Sequence, residues 1–586
     1  MKNLGLLVTC ATLTALATPG SAQSADVVAP ASSGQLDLQT SQNATVNLIR
    51  LLVKSGVITQ EAAVDLIRQA EREAQVAQAQ AQSVVAAAEQ IKAAAQAELA
   101  ASETDIRVTY VPEHVRQEIA ADVRNELAAD ARKQNWSATD EASWTKNIRP
   151  FADFRIRYNS ISFDDANDNT GSFPDFNAIN TGSPYDLADI TTFYPTINAD
   201  ENRDRVGVRA RLGFEADLHE GFLFGVRLAT GSGSSPVSTN QTVGSPGNFS
   251  KYSLWLDQAF LSWETTGDSD LRLRAVAGRY PNPFFKTDLT WDDDINLDGI
   301  SLSASYKISD RVKLFATAGI FPIFNTAFDF PSNQPDKFSS DDRYMSAIQA
   351  GFDADITKSI RLKAALAYYL FTDIEGAPSD PYVPLSDDDA GSTDGRRPGF
   401  AQKGNTYMPL RNITPTAANG FGTTNQWQYF GLASEFRPIV ATAQLDLNHF
   451  EPFQITFFGE AVKNTAYDVN RFSANPAFDP IFFGGGNKGG DTGYLVGVSV
   501  GSAALQQRWD WRAGIDYRYL ESDAFVDGFV DSDFGLGGTN QQGFTLSARL
   551  ALSARVFLGA RWLSASEIEG APLRSDYFQF DINSKF

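Results

Sequence analysis

The stretch Arg205-Val206-Gly207-Val208-Arg209-Ala210-Arg211-Leu212-Gly213-Phe214 alternates without a fault, one face apolar and the other charged or glycine. Successive residues of a strand point to opposite sides, so this is a strand with one greasy face and one wet face. A half-buried strand of a soluble protein shows the same pattern, so one segment decides little. Repetition decides more. Similar segments recur at 149–159, 203–218, 221–229, 252–264, 271–279, 299–307, 311–320, 343–356, 360–371, 427–448, 453–464, 492–502, 509–520, 543–553, 555–565 and 575–586. That is sixteen, although 427–448 is long for one crossing and contains Pro438, so a bulge or eighteen strands is an alternative. Tight turns such as His219-Glu220 and Ser309-Asp310 alternate with loops such as 160–202, 372–426 and 465–491. Short turns at one rim and long loops at the other mark an all-β transmembrane barrel of antiparallel strands.

The apolar set, including Val206, Val208, Leu212 and Phe214, is expected to face lipid, where a closed ladder satisfies every backbone group. The set Trp509, Trp511, Ile515, Tyr517 and Tyr519 reads the same way. The opposite face would line the pore. It carries Arg155, Arg157, Arg205, Arg209, Arg211, Arg227, Arg272, Arg274, Arg311, Lys313, Arg361, Lys363, Arg512, Arg549, Arg555 and Arg561. Fewer acids share it: Asp153, Glu215, Asp217, Glu460, Asp510 and Asp516. The acidic surplus is expected in loops, for example Asp292-Asp293-Asp294 and Asp387-Asp388-Asp389. A basic side chain facing lipid at mid-membrane costs about 2–4 kcal/mol, so the arginine face must be wet. A barrel of this size is wide enough for a water-filled channel, and rings of Arg and Lys favour anions. The plainer alternative is that these arginines pair with loop carboxylates and serve packing. By length, 160–202 and 372–426 are the candidates for narrowing the channel. The run Asp164-Asp165-Ala166-Asn167-Asp168-Asn169 offers oxygen ligands of the kind calcium takes, or is a solvated turn.

Phe578, Phe580, Ile582 and Phe586 share one face of the last segment. An amphipathic final strand ending in Phe resembles the sorting signal of bacterial outer-membrane barrels, with Ser584 as a departure from it.

The N-terminal region is of another kind. Residues 1–22 read as a secretory signal, with Lys2, an apolar run from Leu4 to Ala17, and cleavage after Ala22. A lipoprotein signal at Cys10 is the alternative. A polar linker at 23–43 precedes an Ala-, Gln-, Glu- and Arg-rich region at 44–135 that is almost free of glycine. Ala70, Ala74, Ala77, Ala81, Val84, Ala88, Ile91 and Ala95 follow a 3-4 spacing, the seam of a coiled coil over about 60–101. Alanine seams bury little area, at about 25 cal/mol per Å², so self-association and a solvated spacer helix are both open. A second helix over about 113–134 starts at Pro112 and aligns Val115, Ile119, Val123 and Leu127. Trp136 and Trp144 bracket a linker at 136–148 and serve as interfacial anchors or pack within it. The barrel is expected at 149–586.

The chain has 586 residues, with 49 Lys+Arg against 71 Asp+Glu and a net charge of −22. That balance argues against a nucleic-acid partner, which needs a basic footprint. One Cys excludes an internal disulfide framework. His114 lies in a predicted helix, and His219 and His449 in predicted turns, which leaves little for a zinc site or a positioned catalytic base. No enzyme activity and no cofactor or metal is expected.

Tyr110-Val111-Pro112-Glu113, Arg279-Tyr280-Pro281-Asn282-Pro283-Phe284 and Asp288-Leu289-Thr290-Trp291-Asp292-Asp293-Asp294 resemble the bacterial "putative porin" family over roughly 45–586. The resemblance implies passive diffusion of small hydrophilic solutes or ions across the outer membrane, with lipid as surroundings, a homotrimer as assembly and both termini in the periplasm. A structural tether is the rival, with the N-terminal helices gripping the cell wall and the barrel serving only as an anchor.

Overall fold

The computed structural model describes residues 147–189, 191–325, 337–468 and 489–586. The expected signal peptide, both N-terminal helical segments and nearly all of the flanking linkers lie outside the described residues. The chain divides into Met1–Trp136 and Ser137–Phe586, and only the second unit is described below.

Sixteen main strands follow one another: β1 Ile148–Phe163, β2 Arg203–His219, β3 Phe222–Ala229, β4 Trp255–Glu264, β5 Leu271–Pro281, β6 Asn296–Ser309, β7 Val312–Phe324 and β8 Arg343–Thr357. They continue as β9 Ile360–Thr372, β10 Pro438–Phe450, β11 Phe453–Asn464, β12 Thr492–Ser502, β13 Trp511–Leu520, β14 Gln541–Ala551, β15 Val556–Glu567 and β16 Arg574–Lys585. Each pairs antiparallel with the next, and β16 returns to β1, so the sheet is a closed barrel. The seam runs through Arg157↔Asp581 and Ile156↔Ile582. Its last bonds run from Phe586 N to Ala152 O (3.0 Å) and from Ala152 N to Phe586 O (2.9 Å).

The expected strand at 427–448 is corrected. Its barrel portion starts at Pro438, because proline has no N–H for the ladder and is tolerated at a strand's first residue. Upstream, Trp427–Gln428 pairs with Tyr185–Asp186 and Phe430–Leu432 with Tyr407–Pro409, both outside the barrel sheet. Phe430, Leu432 and Phe436 are buried, so that stretch is apolar because a loop packs there. His219 and His449, expected in turns, are strand residues of β2 and β10, and the turns that follow them fall at 220–221 and 451–452.

Register fixes the two faces. Phe154, Ile156, Tyr158, Leu212, Ile300, Ile515, Trp562, Phe578, Phe580 and Ile582 point outward and are exposed. The alternate positions point in, and Arg157, Arg211, Gln349, Thr442, Glu460, Arg518 and Gln579 are buried there. An apolar exterior around a polar interior inverts the arrangement of a soluble core and suits a hydrocarbon solvent.

Near the long-loop rim the inner wall turns apolar, through Met345 and Ala347 of β8, Tyr369 and Phe371 of β9, Val440, Val462, Leu495 and Leu520. Loop residues pack onto this patch and continue it as one core, which includes Phe284, Leu289, Trp291, Tyr407, Phe430, Phe436, Phe525 and Val530.

The outward face gives a test. Ile515→Arg, at mid-strand on the exterior, is expected to cost about 2–4 kcal/mol in urea unfolding from phospholipid vesicles. Ser547→Arg on the inner face of β14 should cost far less. Equal costs would contradict this assignment of faces.

Candidate functional site

The interior is shaped by two connections, 282–295 between β5 and β6 and 521–540 between β13 and β14. The first turns inward where Asn282 Oδ1 accepts the Phe284 N–H (3.0 Å). Trp291, 1% exposed, is its anchor. Its ring lies 5.5 Å from Phe529, 5.2 Å from Phe525 and 5.6 Å from Tyr369 of β9. A buried aromatic of this size removes about 150–250 Å² from water, and ring pairs of these geometries add about 0.5–1.5 kcal/mol each. Glu460 of β11 grips the same loop, accepting from Thr287 N (2.8 Å) and Thr290 Oγ1 (2.6 Å). Asp292 ties the two connections together by accepting from Ser532 N (3.0 Å) and Ser532 Oγ (3.1 Å).

Beside this packed half lies a cavity of about 1050 Å³. Nine cationic residues line it: Arg155, Arg157, Arg209, Arg211, Lys286, Arg518, Arg549, Arg561 and Lys585. Eight acids face them: Asp288, Asp292, Asp293, Asp294, Asp516, Asp531, Asp533 and Asp581. The strands supply most of the cations and the two connections most of the acids. Arg157 is held by Asp581 (2.7 and 2.9 Å) and Asp533 (2.6 Å). Arg561 meets Asp533 (3.1 Å), and Arg518 meets Asp531 (2.9 Å). Asp294 takes both Arg211 and Arg209.

These pairings tune the loop carboxyls differently. Burial opposes charge on Asp294 and Asp533, yet the arginines around them prevail and hold both below the usual carboxylate range. Around Asp288 the cations Lys286 and Arg561 are outweighed. Burial, followed by the neighbouring Asp293 and Asp531 charges, pushes it to about 7. The same order of causes, with Asp531 and Asp294 as neighbours, raises Asp292 well above its ordinary value. Deeper in the loop core, burial brings Asp527 to about 8 and Asp523 to about 6.

Of the sixteen basic positions singled out in the sequence, Arg155, Arg157, Arg209, Arg211, Arg549 and Arg561 line the cavity. Arg205, Arg227, Arg272, Arg274, Lys313, Arg361, Lys363 and Arg512 lie on the same inward register but elsewhere along the wall. Among them, Arg227 pairs with Asp257 (2.6 Å), and Lys363 sits over the Phe285 ring (4.1 Å). Arg311 and Arg555 fall in short turns rather than in strands.

Asp292 and Asp294 lie in a loop as expected; Asp294 pairs there with Arg211 and Arg209, and Asp292 is buried beside Ser532. Two expectations are corrected. No residue of 160–202 or 372–426 lines the cavity, whose loop lining comes largely from 282–295 and 521–540, while Phe176, Ile179 and Tyr407 of the longer loops pack in the adjoining core. The inner wall holds more acid than expected, including Asp257, Asp353, Asp446 and Asp581. Arg518 was missed, although it shares the parity of Arg512 and the alternation rule finds it. Gly497-Val498-Ser499-Val500-Gly501 has the spacing of a nucleophile elbow, but it lies along β12 and not at a strand-to-helix turn. Asp164 and Asp168 close their own turns by accepting from Ala166 N (3.0 Å) and Thr170 N (3.1 Å). No cluster fit for a metal occurs among the described residues.

A closed barrel with an apolar exterior and a charged interior narrowed by inward connections defines a porin-type fold. The family model described as "Putative porin" matches residues 42–586, and the chain belongs to that family. Solved structures of similar fold include Pseudomonas putida OprB, at 11% identity and TM-score 0.40, covering 77% of this chain and 97% of that one. The outer-membrane channel DcaP of Acinetobacter baumannii is similar at 11% identity and TM-score 0.34, covering 75% and 97%. An anion-selective porin from Comamonas acidovorans is similar at 12% identity and TM-score 0.34, covering 75% and 99%. A comparison with curated proteins gives no match.

Removing one partner of a buried ion pair strands the other charge. Asp294→Asn is therefore expected to lower unfolding stability by about 3–5 kcal/mol, the range for such losses, read from denaturant melts of the folded barrel. An unchanged midpoint would show that the arginine wall does not hold 282–295 in place.

Proposed function

We propose that the barrel is a water-filled channel through which small hydrophilic solutes diffuse passively across the bacterial outer membrane, with a preference for anions. The observation that carries this reading is the charged cavity of about 1050 Å³ enclosed by a sheet whose outer face is apolar. Family membership supports it. The preference is modest in origin, because nine cations meet eight acids along the cavity and most are paired. What tips the balance is protonation. Asp292 holds its proton well above the ordinary range, and Asp288 is half protonated near neutrality, so the wall arginines stand in excess.

The proposal extends to the rest of the chain. Residues 1–22 direct export, and both ends of the barrel unit face the periplasm from the short-turn rim. The functional unit is a homotrimer. A hollow of about 1160 Å³ on the outer wall, lined by Leu256, Ile300, Leu302, Ile320, Ile348 and Tyr368, is the face on which a second copy would pack.

In planar bilayers under a KCl gradient, the reversal potential is expected to show anion preference, and clear cation preference would refute it. The preference should also fall as pH rises. Below about 7 the Asp288 carboxyl is neutral, and above it a negative charge enters the cavity. Between pH 6 and pH 8 the anion-to-cation permeability ratio is therefore expected to drop, and Asp288→Asn should flatten that change. A slope of the same size in the variant would exclude Asp288 as its source.

A further inference from the structure

Residues directly opposite on adjacent strands have Cβ atoms about 4.5–5.5 Å apart, and like charges in that position repel. The inner wall contains three such cationic pairs among the described residues: Arg155↔Arg209, Lys307↔Lys313 and Arg512↔Arg549. The first is relieved by Asp153, 3.0 Å from Arg209, and by Asp294. The second is relieved by Asp310, 2.7 Å from Lys307. The third has no carboxylate in contact among the described residues. Arg512 donates to Ser499 Oγ (3.2 Å), Gln454 Oε1 (3.2 Å) and Thr456 Oγ1 (2.8 Å), all neutral. Arg549 is exposed to the lumen and makes no hydrogen bond or ion pair among the described residues.

The surrounding acids are already engaged. Asp446 accepts from Thr456 Oγ1 (2.7 Å) and from Gln444, and Asp581 is held by Arg157. Access to the pair is also open. In register, the row reads Gly501–Arg512–Arg549–Gly559, with a glycine on the strand at either side. A Cβ placed at Gly559 would meet only the Asp581 side chain, at 3.4 Å, so the glycine leaves the space beside Arg549 open as far as that residue. The β12–β13 turn brings Ala504, Leu505 and Gln506 to the same cavity as Arg549.

We propose that Arg512 and Arg549 form a binding site for small oxyanions, phosphate or carboxylate, on the lumen wall near the short-turn rim. Its neutral scaffold fixes the Arg512 fork in place, while the Arg549 fork is free to close on a solute. Guanidinium forks match the paired oxygens of carboxylate and phosphate, which spherical chloride lacks. The site deepens the channel reading and rests on it for access from solution. It predicts that oxyanions pause at the rim that chloride passes freely.

The test uses full-length protein folded in detergent micelles, with inorganic phosphate as probe and heat-modifiable gel mobility to verify the barrel in each variant. Phosphorus NMR line broadening is expected to report binding in the wild type, with acetate competing and chloride at equal ionic strength not competing. Arg549→Gln and Arg512→Gln should each weaken binding about tenfold, and Arg549→Lys, which keeps the charge but loses the fork, should weaken it severalfold. In bilayers, phosphate should reduce the chloride current of the wild type and spare that of the glutamine variants. Equal phosphate binding in wild type and both glutamine variants overturns the site. If those variants lose phosphate binding while the wild type passes no ions, the site stands and the channel reading falls.

Discussion

Closure of the sheet between β1 and β16 is the constraint on which the rest depends. With Ile156 opposite Ile582 on one side and Val208 on the other, the first strand is paired along both edges, and the sheet has no open end. Closure also locks parity. Slipping a strand by one residue would turn its arginines outward and its isoleucines inward, a change opposed at every position. Sixteen registers are therefore fixed together, and the separation of a greasy exterior from a charged interior follows from them.

Inside that frame the lumen has two unlike halves. Against β8–β12 the wall is apolar near the long-loop rim, and Trp291 and Phe525 seat the connections on it. Against β13–β16, β1 and β2 the wall is arginine-rich and open, and the same connections supply its counter-charges. One pair of segments thus sets both width and electrostatics. Asp292 stands at the boundary of these roles, within bonding reach of Ser532 and next in sequence to the tryptophan that holds the loop down.

Much of this was legible from period-two alternation. It located the strands, and on strands such as β1, β2 and β15 it put the arginines on the inward side. It failed where a loop imitates a strand. Phe430, Leu432 and Phe436 are apolar because they pack in a core, and hydropathy alone cannot separate that from a crossing. Length was the wrong guide to the narrowing segments, because 282–295 is short and enters by virtue of Asn282, Trp291 and the acids beside it. Those residues belong to the stretches that carried the family resemblance. Which arginines Asp294 would meet was not legible, because sequence shows charge but not the partners brought opposite it from distant strands. The Arg512–Arg549 pair needed cross-strand register, which a single sequence does not disclose.

The two halves of the lumen answer differently to the surrounding medium. Ionic atmospheres shorten the reach of charge to about 10 Å at 0.1 M and to about 3 Å at 1 M, whereas the contact of Trp291 with its aromatic neighbours carries no charge to be screened. In brine the barrel would keep its calibre while its discrimination between ions faded. In fresh water the same aperture would be at its most choosy. On the proposed channel reading, the aromatic contacts of the two connections would sieve by size and their charged contacts would sort by sign, and only the second would be at the mercy of salinity.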